Sequence, residues 1–90
     1  MKTITISRVK VRLVRDEGDV VAHASITFED CFVVGGIRVV RRPAGFLVAM
    51  PSMRNQTQWF DVAHPLTTEM RAAIIEAVMG EYERKAAVAS

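Results

Sequence analysis

The sequence predicts an α+β domain, in which a small antiparallel sheet of about five strands is followed by one C-terminal α-helix. Three observations lead to this prediction. Hydrophobic and polar residues alternate over residues 20–29, which is the period of a half-buried strand. A short apolar run at residues 46–50 is stopped by Pro51, as expected for a buried strand. After Pro65 the hydrophobic period becomes that of a helix.

The length of the chain is enough for one domain, predicted to cover residues 1–90, with the sheet at about residues 3–64 and the helix at about residues 67–86. Half of the residues are hydrophobic and only 7% are aromatic, so an aliphatic core is expected. A chain this short buries only roughly 60–65% of its unfolded surface, so a lone core is marginal. Burial between identical copies would add stability, which favours a homo-oligomer.

Residues 3–14 form the first predicted strand, and its two faces differ in chemistry. Basic and aliphatic side chains alternate along it: Arg8, Lys10 and Arg12 on one face, and Val9, Val11 and Leu13 on the other. Ile4 and Ile6 stand at even positions, whereas the aliphatic residues after them stand at odd positions. This change predicts a register shift through a bulge near Ser7. A turn with Gly18 at positive φ follows, and residues 20–29 return as the antiparallel partner strand.

Three further strands are predicted before the helix. Residues 32–42 form a strand interrupted by a bulge or sharp bend at two adjacent glycines. Residues 46–50 are apolar on both faces, so this strand is expected to be central in the sheet or covered on both sides. Residues 52–58 are predicted to form a polar loop, and residues 60–64 a short fifth strand.

The helix is predicted from Thr68 to about Lys85, with Thr67 or Thr68 as its N-cap. Its apolar stripe comprises Met70, Ile74, Ala77 and Val78. Glu81 and Lys85 have the spacing and order of an i,i+4 ion pair. Residues 86–90 are expected to fray.

Few residues offer catalytic or metal-binding chemistry. The single Cys31 has no disulfide partner and no adjacent base, so a buried or half-buried thiol is expected. His64 precedes Pro65 and is expected to hydrogen-bond the backbone at a corner, and His23 to be solvated on a polar strand face. Neither metal-ligand spacing nor a phosphate-binding glycine loop is present. No catalytic residue, cofactor, metal or small-molecule substrate is therefore predicted, and the protein is not expected to be an enzyme.

Targeting signals are not evident in the sequence. Basic residues interrupt the first 14 residues, so no signal peptide is predicted. No apolar run approaches the ~20 residues needed to span a bilayer. A cytoplasmic protein with no membrane association is the resulting expectation.

The distribution of charge is more informative than the net charge of +2. Residues 1–45 hold eight Lys/Arg against five Asp/Glu, whereas residues 46–90 hold four against five. Candidate phosphate contacts lie on the first strand, in the polar loop and at the start of the helix: Arg8, Lys10, Arg12, Arg54 and Arg71. Arg38 and Arg42 could extend the first-strand face. A solubilising surface would give the same pattern, so both interpretations stay open at this point.

The single Trp59 follows the polar loop that carries Arg54. Its indole could stack on a nucleic-acid base. It could equally pack over the edge of the sheet, and packing is the favoured expectation.

Several segments together resemble the SpoVG family of bacterial stage V sporulation protein G, or septation regulator, proteins. The segments are residues 24–28, 32–40, 45–54 and 61–65 and, in the helix, Arg71, Ile74, Ala77, Val78, Glu81 and Tyr82. The similarity runs from about Ile6 to Tyr82, and the combination of the AMPS turn, the AHP corner and the Glu-Tyr helix end is specific. The resemblance implies a homodimeric α+β domain that binds DNA and RNA as a regulator of septation, sporulation or gene expression.

The resemblance also implies a binding segment. In the family the stretch matching residues 52–54 usually reads Ser-Lys-Arg, and its basic residues are implicated in nucleic-acid binding. Arg54 retains that role, whereas Met53 replaces the lysine and the following loop is one residue shorter. Gly35-Gly36 replaces a more polar pair, and Ala73 stands where a lysine is common. These departures remove positive charge near the implied site and affect the expected affinity or sequence preference.

Two functional hypotheses follow. The first is a dimeric, nucleic-acid-binding regulatory protein that contacts DNA or RNA phosphates through Arg54 and Arg71, with the first-strand basic face. The alternative is a protein-interaction module in cell-division regulation, with weak or no nucleic-acid binding. The modest net charge, Met53 and Ala73 favour the alternative, and the family resemblance favours the first.

Overall fold

The computed structural model describes residues 4–89 and confirms the α+β class. Six strands precede one helix: β1 (Ile6–Leu13), β2 (Val20–Phe28), β3 (Phe32–Arg42), β4 (Gly45–Ala49), β5 (Ser52–Arg54), β6 (Trp59–Asp61) and α1 (Thr68–Ala89). The first four strands form an antiparallel sheet in the order β1-β2-β3-β4, and β5 and β6 form a separate two-stranded sheet. Thr3, where the first strand was predicted to begin, lies outside the described residues.

The register shifts at three places in the four-stranded sheet, and two of these are irregularities that the sequence predicts. The third lies between Val20 and Ala22, where β2 pairs with β3. In β1 the pairing with β2 shifts between Ile6 and Arg8, which confirms the predicted irregularity at Ser7. The Ser7 hydroxyl donates to the Thr27 carbonyl of β2 at 3.2 Å and accepts from the Asp30 amide of the β2–β3 turn at 2.9 Å, so the bulged residue is bonded to both.

The second bulge contains the two adjacent glycines of β3. Ala24 pairs with Ile37 and Ile26 pairs with Val34, so an extra residue is accommodated in β3. Gly36 has a φ of +80°, a conformation in which a side chain is strained. A Cβ atom at this position would also lie 3.2 Å from the Cβ of Pro51. Gly18 has a φ of +65° in the β1–β2 turn, as predicted.

The hydrophobic core lies between the inner face of the four-stranded sheet and α1. The inner face carries every second residue of the strands, because side chains alternate across a sheet. Its buried members are Val11, Ala22, Ala24, Ile26, Ile37, Val39 and Val48. Together with Met50, which follows β4, they pack against Ile74, Val78 and Tyr82 of α1. The core is aliphatic except for Tyr82, whose ring lies 5.3 Å from that of Phe46.

The helix begins as predicted but ends differently. The Thr67 hydroxyl accepts a hydrogen bond from the Met70 amide at 3.1 Å, which is an N-cap geometry. Residues 86–89 continue the helix to Ala89 instead of fraying, because Ala86 packs against the core. No helix among residues 4–89 is long and apolar enough to cross a membrane.

The predicted ion pair between Glu81 and Lys85 is wrong. Glu81 pairs with Arg84 one turn along the helix, through two hydrogen bonds. Lys85 instead donates to the carbonyl oxygen of Val11 at 2.6 Å, in the strand against which α1 packs. Tertiary packing therefore overrides the local spacing rule.

The fourth strand is at the edge of the sheet, not at its centre as predicted. β4 pairs with β3 on one side and has no strand on its other side among the described residues. Phe46 and Leu47 are exposed, which accounts for the apolar character of both faces without burial on both. The prediction failed because an apolar run does not distinguish a central strand from an edge strand with exposed hydrophobic residues.

The predicted polar loop at residues 52–58 is also wrong, because part of it forms β5. β5 and β6 make a small hairpin, the arm, in which Arg54 is paired with Trp59. The Asn55 side-chain oxygen accepts the amides of Thr57 and Gln58 at 3.0 and 2.9 Å, which closes the turn. The fifth predicted strand is shorter than residues 60–64 and begins one residue earlier, at Trp59.

Candidate nucleic-acid interface

The basic residues of β1 lie together on the outer face of the four-stranded sheet, which is the face turned away from α1. Arg8, Lys10 and Arg12 are exposed, whereas Val9 and Val11 between them are half-buried or buried. The strand alternation predicted from the sequence is therefore present in β1. No hydrogen bond or ion pair within residues 4–89 involves the three cationic side chains, so their donors face solvent.

The rest of the outer face is polar near these cations. On β2, Thr27 is opposite Arg8, Ser25 is opposite Lys10 and His23 is opposite Arg12. The His23 Nε2 atom lies 2.9 Å from a carboxylate oxygen of Glu17, so this histidine has a partner and is half-buried, not fully solvated as expected.

Arg38 continues the row of Arg12 and His23 on β3, as the sequence suggested, but its guanidinium is engaged within the protein. Its Nη2 atom donates to the Ser52 hydroxyl at 3.2 Å and to the Met50 carbonyl at 3.4 Å. Arg38 therefore fastens the start of β5 to the sheet. Arg42 is exposed at the end of β3.

Arg54 and Arg71 lie on elements other than β1. Arg54 is exposed at the tip side of the arm, and Arg71 is exposed one turn into α1. Neither side chain has a hydrogen bond or ion pair in the part of the chain that the structure describes. The five predicted contacts thus comprise one row of three on β1 and two single arginines.

The arm also exposes apolar side chains. Trp59 is 66% exposed, so the expectation that it packs over the sheet edge is wrong. Met53 and Phe60 are exposed as well, on opposing strands of the arm. An exposed indole beside an arginine has the two components that proteins use to bind single-stranded bases and phosphates.

The sequence did not identify Arg84 as a site residue. Its Nε and Nη2 atoms donate to the two carboxylate oxygens of Glu81 at 2.9 and 2.6 Å. Hydrogen bonding to Arg84 lowers the pKa of Glu81, and the same pair raises the pKa of Arg84. Arg84 is far from β1 in the sequence but lies beside it in the fold. The packing of the helix on the sheet determines which helix residues lie close to the strand.

The candidate catalytic and metal-binding residues have separate, local environments. His64 Nδ1 lies 3.2 Å from the Pro65 carbonyl, which confirms the predicted contact with the backbone at that corner. Cys31 is exposed, so the expected buried or half-buried thiol is wrong, because the residue lies in the β2–β3 turn. No cluster of three potential metal ligands occurs among residues 4–89.

Comparison with known proteins gives a consistent result. A sequence model of the SpoVG family matches residues 4–84. A protein of Clostridium perfringens named as septation protein SpoVG is 40% identical over 82 residues, which are 90% of this chain and 91% of the relative. A Listeria monocytogenes relative named SpoVG 2 is 45% identical over 80 residues, covering 88% of this chain and 78% of the relative. A Phytoplasma australiense relative is 39% identical over 87% of this chain and 82% of the relative.

Proposed function

The chain belongs to the SpoVG family, and from this membership together with its basic β1 face we propose that it is a dimeric, nucleic-acid-binding regulatory protein. Its relatives are named as septation proteins, which supports a role linked to septation or sporulation. The proposal depends most on one observation, which is the row of exposed cations formed by Arg8, Lys10 and Arg12.

Three features of this row suit the binding of a phosphate backbone. Alternate residues of a strand are about 6.6 Å apart, so the three side chains can each reach a different phosphate. Arginine and lysine contacts to phosphates release counterions, which supplies affinity that does not depend on sequence. The neighbouring residues on β2, which are Thr27, Ser25 and His23, carry no carboxylate, and the acidic group at the Arg12 end of the row is Glu17, in contact with His23.

The arm supplies the second proposed contact region. Arg54 is the position that the family resemblance implies, and it projects beside exposed Trp59. Arg71 is exposed near the N-terminus of α1, where the helix dipole also favours an anion. Base stacking on Trp59 would add binding to unpaired nucleotides that the β1 row alone does not provide.

A salt titration tests the proposal. Binding of labelled duplex DNA and single-stranded RNA is followed by fluorescence anisotropy for the wild type, Arg54→Ala, and the triple variant of Arg8, Lys10 and Arg12 to alanine. For duplex DNA, each phosphate that a variant no longer neutralises is expected to reduce the slope of log affinity against log salt by about 0.9. Arg41→Ala removes an exposed charge outside the proposed contacts and is the control. Absence of wild-type binding at low salt, or full binding by Arg54→Ala, would contradict the proposal.

We also propose that two copies pair through the open edge of β4. This edge exposes Phe46 and Leu47, and unpaired backbone groups at a sheet edge readily bind another strand. Sedimentation equilibrium is expected to give twice the 10.0 kDa of one chain for the wild type, and a lower mass for Leu47→Asp. A monomeric wild type at micromolar concentration would contradict this pairing.

A protein-interaction module in cell division is the second candidate function. The exposed apolar residues of the arm favour it, because Met53, Trp59 and Phe60 contribute little to the core of their own chain. Affinity capture before and after nuclease treatment separates the two functions. A partner protein that is retained after nuclease treatment and lost with Trp59→Ala would support this candidate.

A further inference from the structure

A groove lies where the last turns of α1 run beside β1. It encloses about 970 Å³ and is open to solvent. Its lining comes from β1, from the facing part of β2 and from the end of α1. The residues that define its chemistry are Lys10, Arg12, His23, Arg84, Lys85 and Val88.

The lining of the groove is cationic. Lys10 and Arg12 reach the groove from the outer face, around the open edge of β1, and Arg84 and Lys85 reach it from the helix. No acidic residue is among its described lining. Two acidic residues contact members of the lining: Glu81 pairs with Arg84, and Glu17 lies 2.9 Å from His23. The groove therefore joins part of the basic β1 row to a second source of positive charge on α1.

Arg84 has the geometry of a phosphate ligand. Its pair with Glu81 uses the Nε hydrogen and one Nη2 hydrogen, which leaves three of the five guanidinium hydrogens for another acceptor. The carboxylate holds the planar fork in one orientation, and the side chain is 63% exposed. A guanidinium held in this way binds phosphate oxygens with a smaller entropic cost than a free side chain.

The amino group of Lys85 is less available to a ligand than the guanidinium of Arg84. Its amino group donates to the Val11 carbonyl and is partly buried. That bond holds α1 beside β1, so Lys85 keeps the two walls of the groove together.

The remainder of the lining is aliphatic except for His23 and Ser25. Leu13, Val88 and Ala89 have no π-face on which a base could stack. The one ring in the described lining is the imidazole of His23, whose Nε2 atom lies 2.9 Å from a carboxylate oxygen of Glu17. The groove therefore contacts a backbone mainly through charge, and its described lining offers no Trp, Tyr or Phe ring for stacking. This distinguishes it from the arm, where Trp59 is exposed.

We propose that the groove between β1 and the end of α1 is a phosphodiester-binding track, in which Arg84 of the helix and Lys10 and Arg12 of β1 contact successive phosphates of one nucleic-acid strand. The proposal rests on the proposed nucleic-acid-binding function and adds the track and the role of Arg84 to it. Binding in the track is governed mainly by charge and is sequence-tolerant, whereas the larger surface for stacking unpaired bases is Trp59 of the arm.

Two variants of one ion pair test the role of Arg84. Arg84→Ala removes the cation and the pair, whereas Glu81→Gln removes the carboxylate charge and keeps the cation. At about 0.1 M salt, removal of one cation that neutralises a phosphate is expected to weaken binding to duplex DNA roughly three- to eightfold. Arg84→Ala is expected to show this weakening, and Glu81→Gln is expected to bind as tightly as the wild type or more tightly. Equal weakening in the two variants would assign the pair a structural role and overturn the track.

A direct readout makes the result independent of folding in the variants. The Nε–H resonance of Arg84 in the wild type is expected to shift on addition of a duplex DNA or a single-stranded RNA oligonucleotide. Comparison of the DNA titration with the RNA titration shows which polymer binds in the track. Shifts confined to Trp59 and Arg54 would overturn the track while leaving the proposed function intact. Absence of any binding by the wild type would instead refute the proposed function itself.

Discussion

The four-stranded sheet and the arm are both antiparallel, yet different interactions hold them. The inner face of the sheet is covered by α1, and residues such as Ile26 and Val39 are completely inaccessible to solvent. In the arm, every described residue of β5 and β6 except Ser52 is exposed. A hydrophobic residue in the sheet therefore stabilises the fold, whereas one in the arm is available to a partner.

Local bonds maintain the arm in place of a core. A two-stranded hairpin alone is marginally stable in water, so its ends need support. Asn55 closes the turn, the Val62 amide donates to the Pro51 carbonyl at 2.8 Å, and Arg38 holds Ser52. The arm is thus fixed at its base and at its turn while its strand faces remain accessible.

The largest expected difference between the two regions comes from truncating one large side chain in each. Ile26→Ala is expected to reduce the free energy of unfolding by about 2–5 kcal/mol, because it leaves a cavity in the core. Trp59→Ala is expected to change it by less than about 0.5 kcal/mol, because the indole is mostly exposed. Urea denaturation followed by far-ultraviolet circular dichroism measures both. A destabilisation by Trp59→Ala comparable to that by Ile26→Ala would show that the arm is part of the core.

An intermediate effect is expected where the sheet meets the arm. Gly36→Ala is expected to destabilise the protein by about 1–2 kcal/mol, since φ is positive and the new Cβ would press on Pro51. Gly35→Ala is the matched control, because a Cβ at that position meets no atom within 4 Å. Thermal unfolding of the two variants gives the comparison. Equal midpoints would mean that the bulge relaxes freely and that the sheet does not constrain the base of the arm.

A smaller effect is expected at the start of the helix. Thr67→Ala removes the hydroxyl that accepts the Met70 amide and is expected to cost about 1 kcal/mol. Thr68→Ala changes the next residue, for which no cap bond is present in the described chain, and is expected to cost less than about 0.5 kcal/mol. The fluorescence of Trp59, the single tryptophan, should stay unchanged in both folded variants. A change in native fluorescence with Thr67→Ala would show that the cap also positions the arm.

Much of the sheet could be predicted because its signals are local. Alternation identified β1 and β2, and the parity change before Arg8 located the bulge at Ser7. The sequence could not place β4 at the edge, because that position depends on which strands pair. It could not reveal β5 either, since Ser52-Met53-Arg54 becomes a strand only by pairing with β6.

The residues of the candidate site also include some that the sequence predicts and one that it does not. The β1 cations were predictable because a period of two places Arg8, Lys10 and Arg12 on one face. Arg84 was not, because its proximity to β1 depends on how α1 packs across the sheet, and no local pattern encodes that packing. The prediction of a Glu81–Lys85 ion pair was wrong for the same reason, because Lys85 donates a hydrogen bond to the Val11 carbonyl instead.

The bond from Lys85 to Val11 also bears on the proposed pairing of two copies. Val14 bonds to Val21 of β2, and by strand alternation the Val11 carbonyl then points to the open side of β1, where the lysine occupies it. A sheet with two free sides can add strands at both and extend into a fibre, whereas this sheet has one side obstructed by a lysine and a helix. Strand addition at β4 would therefore consume the remaining free side, and growth would stop at two copies.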